Sequence, residues 1–300
     1  MEKQIKIGFI GSGKVGCSLG LYFLYHHIQV SGYYSKTKAS SEFAAKLTQT
    51  NDYDQINQLV EESTVILITV TDDQIKTVWK QLLDQIEPNK LKDKYVFHCS
   101  GIHSSMIFSE NERSQLQVGS LHPICAISDK ELGYKNLQQA IFSFEGTTQA
   151  KYVLEELLRK TKNVGVELET NQKARYHAAT VFSSNLMIGL LKESMDILID
   201  CGFTKQQAET AVVSLAVGNL KNIEVQGLED ALTGPIERND DQTIQLHLEA
   251  LVQQERLVYQ SLSNKIIPIA ERKHPDRDYS KIKEMLQNEK YDNDNVSAKN

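Results

Sequence analysis

The sequence is poor in the residues that mark several large protein classes. Its four cysteines, Cys17, Cys99, Cys125 and Cys201, are widely separated. With no C-x-x-C pair and no histidine at zinc-ligand spacing, they exclude a disulfide scaffold and a zinc module, and no metal site is expected. Basic residues are not in excess. Lys and Arg number 33 against 39 Asp and Glu, a formal charge of −6, and aromatic residues make up 7%, which argues against a nucleic-acid-binding face. No run reaches the roughly 18 apolar residues that a membrane span needs. Residues 3–25 have the outline of a signal peptide, but Gly11, Gly13, Lys14 and Gly16 interrupt the apolar stretch, which reads instead as a first strand and helix. A soluble, cytoplasmic chain with reduced thiols is expected. Neither internal repeats nor low-complexity tracts occur, and 300 residues suffice for one large or two ordinary domains.

What is present begins with IKIGFIGSGKVGCSLG, Ile5 to Gly20. A short apolar run meets Gly11, Gly13 and Gly16 and continues into Leu19, Leu21 and Leu24, the pattern of strand, tight loop and helix. The spacing fits G-x-G-x-x-G. The first glycine permits the turn, the second lets a pyrophosphate approach the backbone, and the third allows close packing of helix on strand. Ser12, Lys14 and Val15 complete this loop, whose N–H groups would face the phosphates. Such turns also arise for steric reasons alone. Position supports the dinucleotide reading: the loop lies at the first strand-to-helix junction.

Ile28 to Tyr34 reads as the second strand, followed by Ser35-Lys36-Thr37-Lys38 where an adenosine ribose would lie. No Asp or Glu occurs from Ile28 to Ser41, so the sequence points to NADP, with Ser35 and Lys36 on the 2′-phosphate and Lys38 as a third candidate. A solvated basic loop is the alternative. STVILITV, Ser63 to Val70, is a strand of the kind buried on both faces of a parallel sheet. Ligands lie beyond the carboxyl ends of such strands, which places Thr71 and Asp72 beside the cofactor, although Asp72 or Asp73 could equally cap the next helix. Further strands are expected at Lys94–Cys99, Val118–Leu121, Phe142–Glu145 and Val164–Leu168, with a helix near Ala150–Lys160. Alternation of this kind predicts a doubly wound parallel sheet over residues 1–168.

From Asn171 to Ile199 an apolar stretch predicts one helix about 45 Å long, buried on several sides and stopping at Gly202. Helices follow at Gln206–Leu220, from Asp240 or Asp241 to Val258, and near Ile266–Arg272. An all-α domain over 169–285 is therefore expected, with a frayed polar tail over 286–300. On the long helix, His177 and Ser184 lie about 20° apart and Asn185 about 80° from His177, a polar stripe on an apolar rod. His177 could act as proton donor and Asn185 as polarising amide for hydride transfer to a carbonyl or imine; the alternative is a core histidine bonded to a carbonyl. Ser100 and His122 come from the first domain, and the extended geometry that Pro123 imposes could aim His122 inward or merely shape a turn. In ALTGPIERNDDQTIQLHL, Ala231 to Leu248, Arg238 could anchor an anionic substrate or pair with Asp240.

Taken together, GFIGSGKVG, VTDDQI, HCSG, SLHPICAIS, H-x7-N and ALTGPIERNDDQTIQLHL resemble a bacterial family that joins a Rossmann-like domain to the domain DUF2520, described as NADP- or F420-dependent oxidoreductases. The likeness runs from Lys3 to about Arg272. It implies a helical domain of the 6-phosphogluconate dehydrogenase type, a homodimer formed through it, NADP as cofactor with F420 as a conceivable co-substrate, and no defined substrate. More distantly the layout is similar to β-hydroxyacid dehydrogenases and ketopantoate reductase, whose corresponding helix carries a lysine followed by asparagine; His177 would replace that lysine while Asn185 stays in register. His122-Pro123 is similar to the HP motif of prephenate dehydrogenases. The expected function is hydride transfer between NADP and a small anionic substrate in a cleft between the domains. A non-catalytic NADP(H) sensor or scaffold is the rival.

Overall fold

The computed structural model describes residues 4–108 and 116–287. Of the tail expected over 286–300, residues 288–300 lie outside the described residues, whereas Leu286 and Gln287 still belong to a helix.

The first unit alternates strand and helix from β1 (Lys6–Ile10) through α1 (Lys14–Tyr25), β2 (Gln29–Tyr34), α2 (Lys38–Thr48), β3 (Asn51–Asp52), α3 (Ile56–Glu62), β4 (Val65–Ile68) and α4 (Asp72–Gln85). A single-turn α5 (Pro88–Leu91) leads to β5 (Tyr95–His98) and β6 (Gln117–Ile124). After them come α6 (Tyr134–Leu137), β7 (Ile141–Gly146), α7 (Thr148–Thr161) and β8 (Gly165–Glu167). The strands form one sheet in the order β3-β2-β1-β4-β5-β6-β7-β8. The first six are parallel, in the order of a dinucleotide-binding sheet. β7 reverses direction against β6, and β8 runs parallel to β7, so the expected parallel sheet ends in two strands of opposite sense.

Both faces of the sheet are covered, which is why its strands read as unbroken apolar runs. Phe9, Leu67 and Phe97 point to one side and join Leu19 and Phe23 of α1 and Leu154 and Leu157 of α7. Ile10, Ile66, Ile68 and Val96 point to the other, against Leu59 of α3 and Ile75, Trp79 and Leu82 of α4. Period-two alternation thus feeds two cores from single strands.

The division between compact units falls between Asn185 and Leu186. A 3₁₀ turn at Thr170–Gln172 and α8 (Lys173–Phe182) therefore belong with the sheet, beyond the boundary expected at 168. The second unit contains α9 (Asn185–Asp200), α10 (Lys205–Ala231), α11 (Asp241–Ala250), α12 (Gln253–Lys273) and α13 (Ser280–Gln287), with no strand among the described residues. Its core gathers Ile236, Ile244, Leu248, Ile267, Tyr279 and Ile282.

Two helices differ from expectation. The rod predicted over 171–199 is broken at Ser183–Ser184, where the hydroxyls of both serines donate to the Thr180 carbonyl at 3.2 and 2.8 Å. Backward hydroxyl bonds of this kind bend helices but do not by themselves end them, since Ser194 makes one to Leu190 inside an unbroken helix. Nor is the apolar stretch buried within this chain: α9 has no buried residue, and Ile188 is 65% exposed. The helix expected from Asp240 to Val258 is interrupted at Leu251–Val252, where Glu255 accepts the Val252 N–H at 3.0 Å and opens a new helix. Gly227, at φ 82°, kinks α10.

Candidate active site

The turn after β1 has the geometry the glycine spacing implies. Gly11 adopts φ 104° and its N–H donates to Tyr34 of β2 at 2.8 Å. A β-carbon on Gly16 would lie 2.6 Å from both the Gly11 carbonyl and Thr69 Oγ1, and Thr69 itself donates to that carbonyl at 2.7 Å. Helix α1 can lie this close to the strand only with glycine there. By contrast, a β-carbon on Gly13 would meet nothing within 4 Å. Gly13 caps α1 with no side chain over the helix end, and no acidic residue lies in the first turn, which Lys14 opens. The first N–H groups of α1 are thus left open to an anion. Ser12 is buried, yet its hydroxyl finds no hydrogen-bond partner among the described residues. Open space over Gly13, an orphaned hydroxyl and an uncapped helix start together fit a dinucleotide pyrophosphate.

Beyond β2, Ser35 and the exposed Lys36 occupy the loop before α2. Lys38 is committed elsewhere: its ammonium pairs with Asp52 and Asp54 at the end of β3, which removes the third expected phosphate ligand. After β4, Thr71 is the N-cap residue of α4, and Asp72 and Asp73 lie in its first turn. Thus Asp72 is not the cap, and its charge adds to the favourable end of the helix dipole.

A second cluster forms beyond the carboxyl end of β5, beside the second half of β6. Ser100, just past β5, is buried. Its N–H donates to His98 Nδ1 at 3.2 Å, its Oγ accepts the His103 N–H at 3.0 Å, and its carbonyl accepts from Lys173 Nζ at 3.0 Å. In β6, His122 Nδ1 lies 2.7 Å from the Tyr176 hydroxyl of α8, and the rings of His122 and His177 are 6.0 Å apart. Gly101 lets these groups meet, for a β-carbon there would lie 2.4 Å from His177 Cδ2 and 2.9 Å from His122 Nε2. His177, Ser100 and His122, predicted separately, are therefore brought together.

Lys173, Tyr176, Ser120 and Glu145 escaped the sequence reading. Lys173, Tyr176 and His177 lie at i, i+3 and i+4, the spacing of one helix face, and that was the available signal. Lys173 is 2% exposed and also donates to Ser120 Oγ at 3.2 Å. Glu145 of β7, equally buried, accepts from the Ser105 N–H at 2.7 Å, the Ser105 hydroxyl at 2.8 Å, the Ser120 hydroxyl at 2.7 Å and the Thr170 hydroxyl at 3.3 Å.

Burial, aided by the nearby Lys173 charge, pushes the His122 pKa down to about 4, so its ring is neutral at pH 7. Burial also raises the Tyr176 pKa and keeps the phenol protonated. A protonated phenol can donate to Nδ1 or accept from it; in the tautomer where it donates, the proton of His122 resides on Nε2, the nitrogen nearest Gly101. The cluster offers a neutral N–H donor at His122, a half-buried imidazole at His177 and the Ser100 hydroxyl, beside a buried ammonium.

The remaining predicted residues belong to other segments. Ser184 and Asn185 are exposed in the break between α8 and α9, with Ser184 Oγ 3.1 Å from Asn185 Oδ1. Because the rod is broken, no single stripe joins them to His177. In the second unit, Arg238 lies 3.8 Å from Asp240 with its side chain 59% exposed. Asp240 caps α11 through the Thr243 N–H at 3.0 Å. Glu237 binds His274, and its carbonyl accepts from the Tyr279 hydroxyl at 2.9 Å. Much of the Gly234–Asp241 stretch thus fastens α11, α12 and α13 together. Among the described residues, no group of three or more His, Cys, Asp or Glu is placed to hold a metal, and no helix is long and apolar enough to cross a membrane.

Residues 6–111 match the NAD binding domain of 6-phosphogluconate dehydrogenase, and residues 140–266 match the domain of unknown function DUF2520. No curated protein matches the chain. Among solved structures it is similar to a protein from Thermotoga maritima, at 22% identity and a TM-score of 0.68 over 89% of this chain and 98% of that one. It is also similar to a proposed NADP oxidoreductase from Bacteroides fragilis, at 17% identity and a TM-score of 0.63 over 88% and 98%. A third likeness is to pyrroline carboxylate reductase from Plasmodium falciparum with NADP bound, at 15% identity and a TM-score of 0.58 over 90% and 97%. At these identities the likeness is one of fold.

Proposed function

We propose, from the premise that this chain joins an NAD binding domain of the 6-phosphogluconate dehydrogenase type to a DUF2520 domain, that it is a cytoplasmic NADP-dependent oxidoreductase acting on a small anionic substrate, and that it works as a homodimer. One observation carries the reading: Ser100, His122, Tyr176 and His177 converge beyond the carboxyl end of β5, beside the second half of β6, in a sheet whose first βα turn is open to a pyrophosphate. In sheets of this strand order, a dinucleotide bound at that turn extends across the strand ends toward β5 and β6. The bound nicotinamide supplies or accepts the hydride.

Gly11, Ser12, Gly13 and the start of α1 would hold the pyrophosphate, with Ser35 and Lys36 on the 2′-phosphate. The B. fragilis and P. falciparum proteins, one a proposed NADP oxidoreductase and the other an NADP-bound reductase, support that choice of cofactor. For the chemistry, the His122 Nε2–H polarises a carbonyl or imine of the substrate without giving up its proton, since the ring is neutral and its basicity low. The Ser100 hydroxyl, whose oxygen already accepts from His103, donates its own proton to orient the same group. His177 delivers a proton to the substrate heteroatom as general acid, and takes it back in the reverse direction.

The test is NADPH oxidation against a panel of small anionic carbonyl and imine compounds, followed by His177→Ala. Turnover should fall about a hundredfold or more while NADPH affinity stays within about twofold. Undiminished turnover by the variant would remove His177 from this role.

A further inference from the structure

Glu145 and Lys173 are the two charged groups most deeply enclosed near the candidate site, and a single hydroxyl links them. Ser120 donates its only proton to Glu145 at 2.7 Å and accepts from Lys173 at 3.2 Å, which makes a hydroxyl-bridged ion pair between β7 and the first turn of α8. Four donors converge on the two oxygens of Glu145, the setting of a carboxylate with no proton to place. A buried ammonium with no counter-charge would be costly; here burial lowers the Lys173 pKa, and the Glu145 carboxylate and two oxygen acceptors offset part of the loss of water.

From this geometry we infer that Lys173, held as a cation by Glu145 through Ser120, is the positioning residue of the site: it fixes α8 so that Tyr176 and His177 face His122 and Ser100. Its second bond, to the Ser100 carbonyl, ties the same helix turn to the loop after β5. Glu145 secures two further segments in the same step, the turn at Ser105 and Thr170 just before α8. Six segments are thus fastened at one charge pair: β6, β7, the loop after β5, the turns at Ser105 and Thr170, and the start of α8. The catalytic consequence rests on the proposed hydride transfer; the bridge itself does not.

Fixed charge under the site also bears on His122. Facing the Lys173 ammonium are Glu145 from β7, Cys99 after β5, Asp72 from α4, and the rings of His98 and His122. His122 in turn faces Lys173, His177, Asp72 and the Tyr176 phenol. A cation in this position opposes protonation of His122 and helps to keep it a neutral donor.

Two measurements on the full chain test the inference, and neither needs cofactor or turnover. The first is a double-mutant cycle in urea with Glu145→Gln and Lys173→Met. The unfolding constant of the double variant should depart at least tenfold from the product of the single effects, whereas effects that multiply within twofold would overturn the bridge. If Lys173→Met does not fold, Glu145→Gln and Ser120→Ala supply the cycle with the same criterion. The second is NMR titration of the His122 ring. Its pKa should rise by about one unit in Lys173→Met and stay low in Lys173→Arg, which restores the charge. A titration unchanged by Lys173→Met would reduce Lys173 to a packing role. Should the wild type transfer no hydride while both measurements succeed, the proposed activity fails and the bridge stands.

Discussion

Gly101 and His98 show how single residues constrain the site. Around Gly101 the two imidazoles come closer than any β-carbon allows, so Gly101→Ala must push His122, His177 or the loop after β5 aside. Overpacking of this kind costs about 1–3 kcal/mol, and urea denaturation should register that loss; a variant as stable as the wild type would mean the loop has room. His98 is fully buried, and its pKa is pushed down to about 3, mainly by desolvation. The unfolded chain binds a proton near pH 6.5 and the folded chain only near pH 3, so in that window the unfolded state carries more protons. His122, lowered to about 4, has the same sign. Stability should therefore decline as pH falls from about 6.5 toward 4. His98→Asn, which can keep an acceptor for the Ser100 N–H, should flatten that slope even if it lowers stability overall. An unchanged slope in denaturation curves across this range would count against the buried neutral ring.

Elements were legible in the sequence where burial on both faces or a glycine turn left a strong pattern. VILI of β4 and the turn at Gly11 are such cases: apolar continuity and G-x-G-x-x-G are consequences of packing that any sequence reader can see. Helix ends were harder. The break at Ser183–Ser184 left no mark to read, because serines bonded backward to a carbonyl, as these are to Thr180, also occur inside unbroken helices, as Ser194 does. The antiparallel β7 was invisible for a related reason, since strand direction leaves no mark on a run such as IFSFEG. Lys173 was hidden by its type, because a lysine in a helix reads as solvated until a carboxylate from another element is found behind it. For the βα turn, the close packing of Gly16 on Gly11 and Thr69 predicts that Gly16→Ala weakens NADPH binding at least tenfold, read by nicotinamide fluorescence. Wild-type affinity in that variant would separate the turn from the cofactor.

At the scale of the whole molecule, the helical unit leaves several large apolar side chains exposed. Ile188 of α9 and Leu215, Val225 and Leu228 of α10 are each 60–80% exposed. Contiguous exposed apolar surface marks interaction sites, and a second copy of the chain is the occupant proposed above. Light scattering should give a mass near twice the 33.9 kDa of one chain, reduced toward one chain by Leu215→Glu with Val225→Glu; a monomeric wild type would contradict the homodimer. ALTGPIERND, Ala231 to Asp240, the most specific part of the family resemblance, fastens helices of this unit and pairs Arg238 with Asp240, so distinctiveness in sequence there reflects fold as much as chemistry. Everything proposed about reactivity depends on a nicotinamide dinucleotide at the Gly11–Gly16 turn. The most direct test is titration of the purified chain with NADPH, NADH and F420, followed by nicotinamide fluorescence and thermal shift. NADPH should bind at micromolar affinity and more tightly than NADH, with the preference lost in Ser35→Asp combined with Lys36→Ala. Binding of none of the three would contradict the oxidoreductase reading and leave the sheet to serve some other ligand.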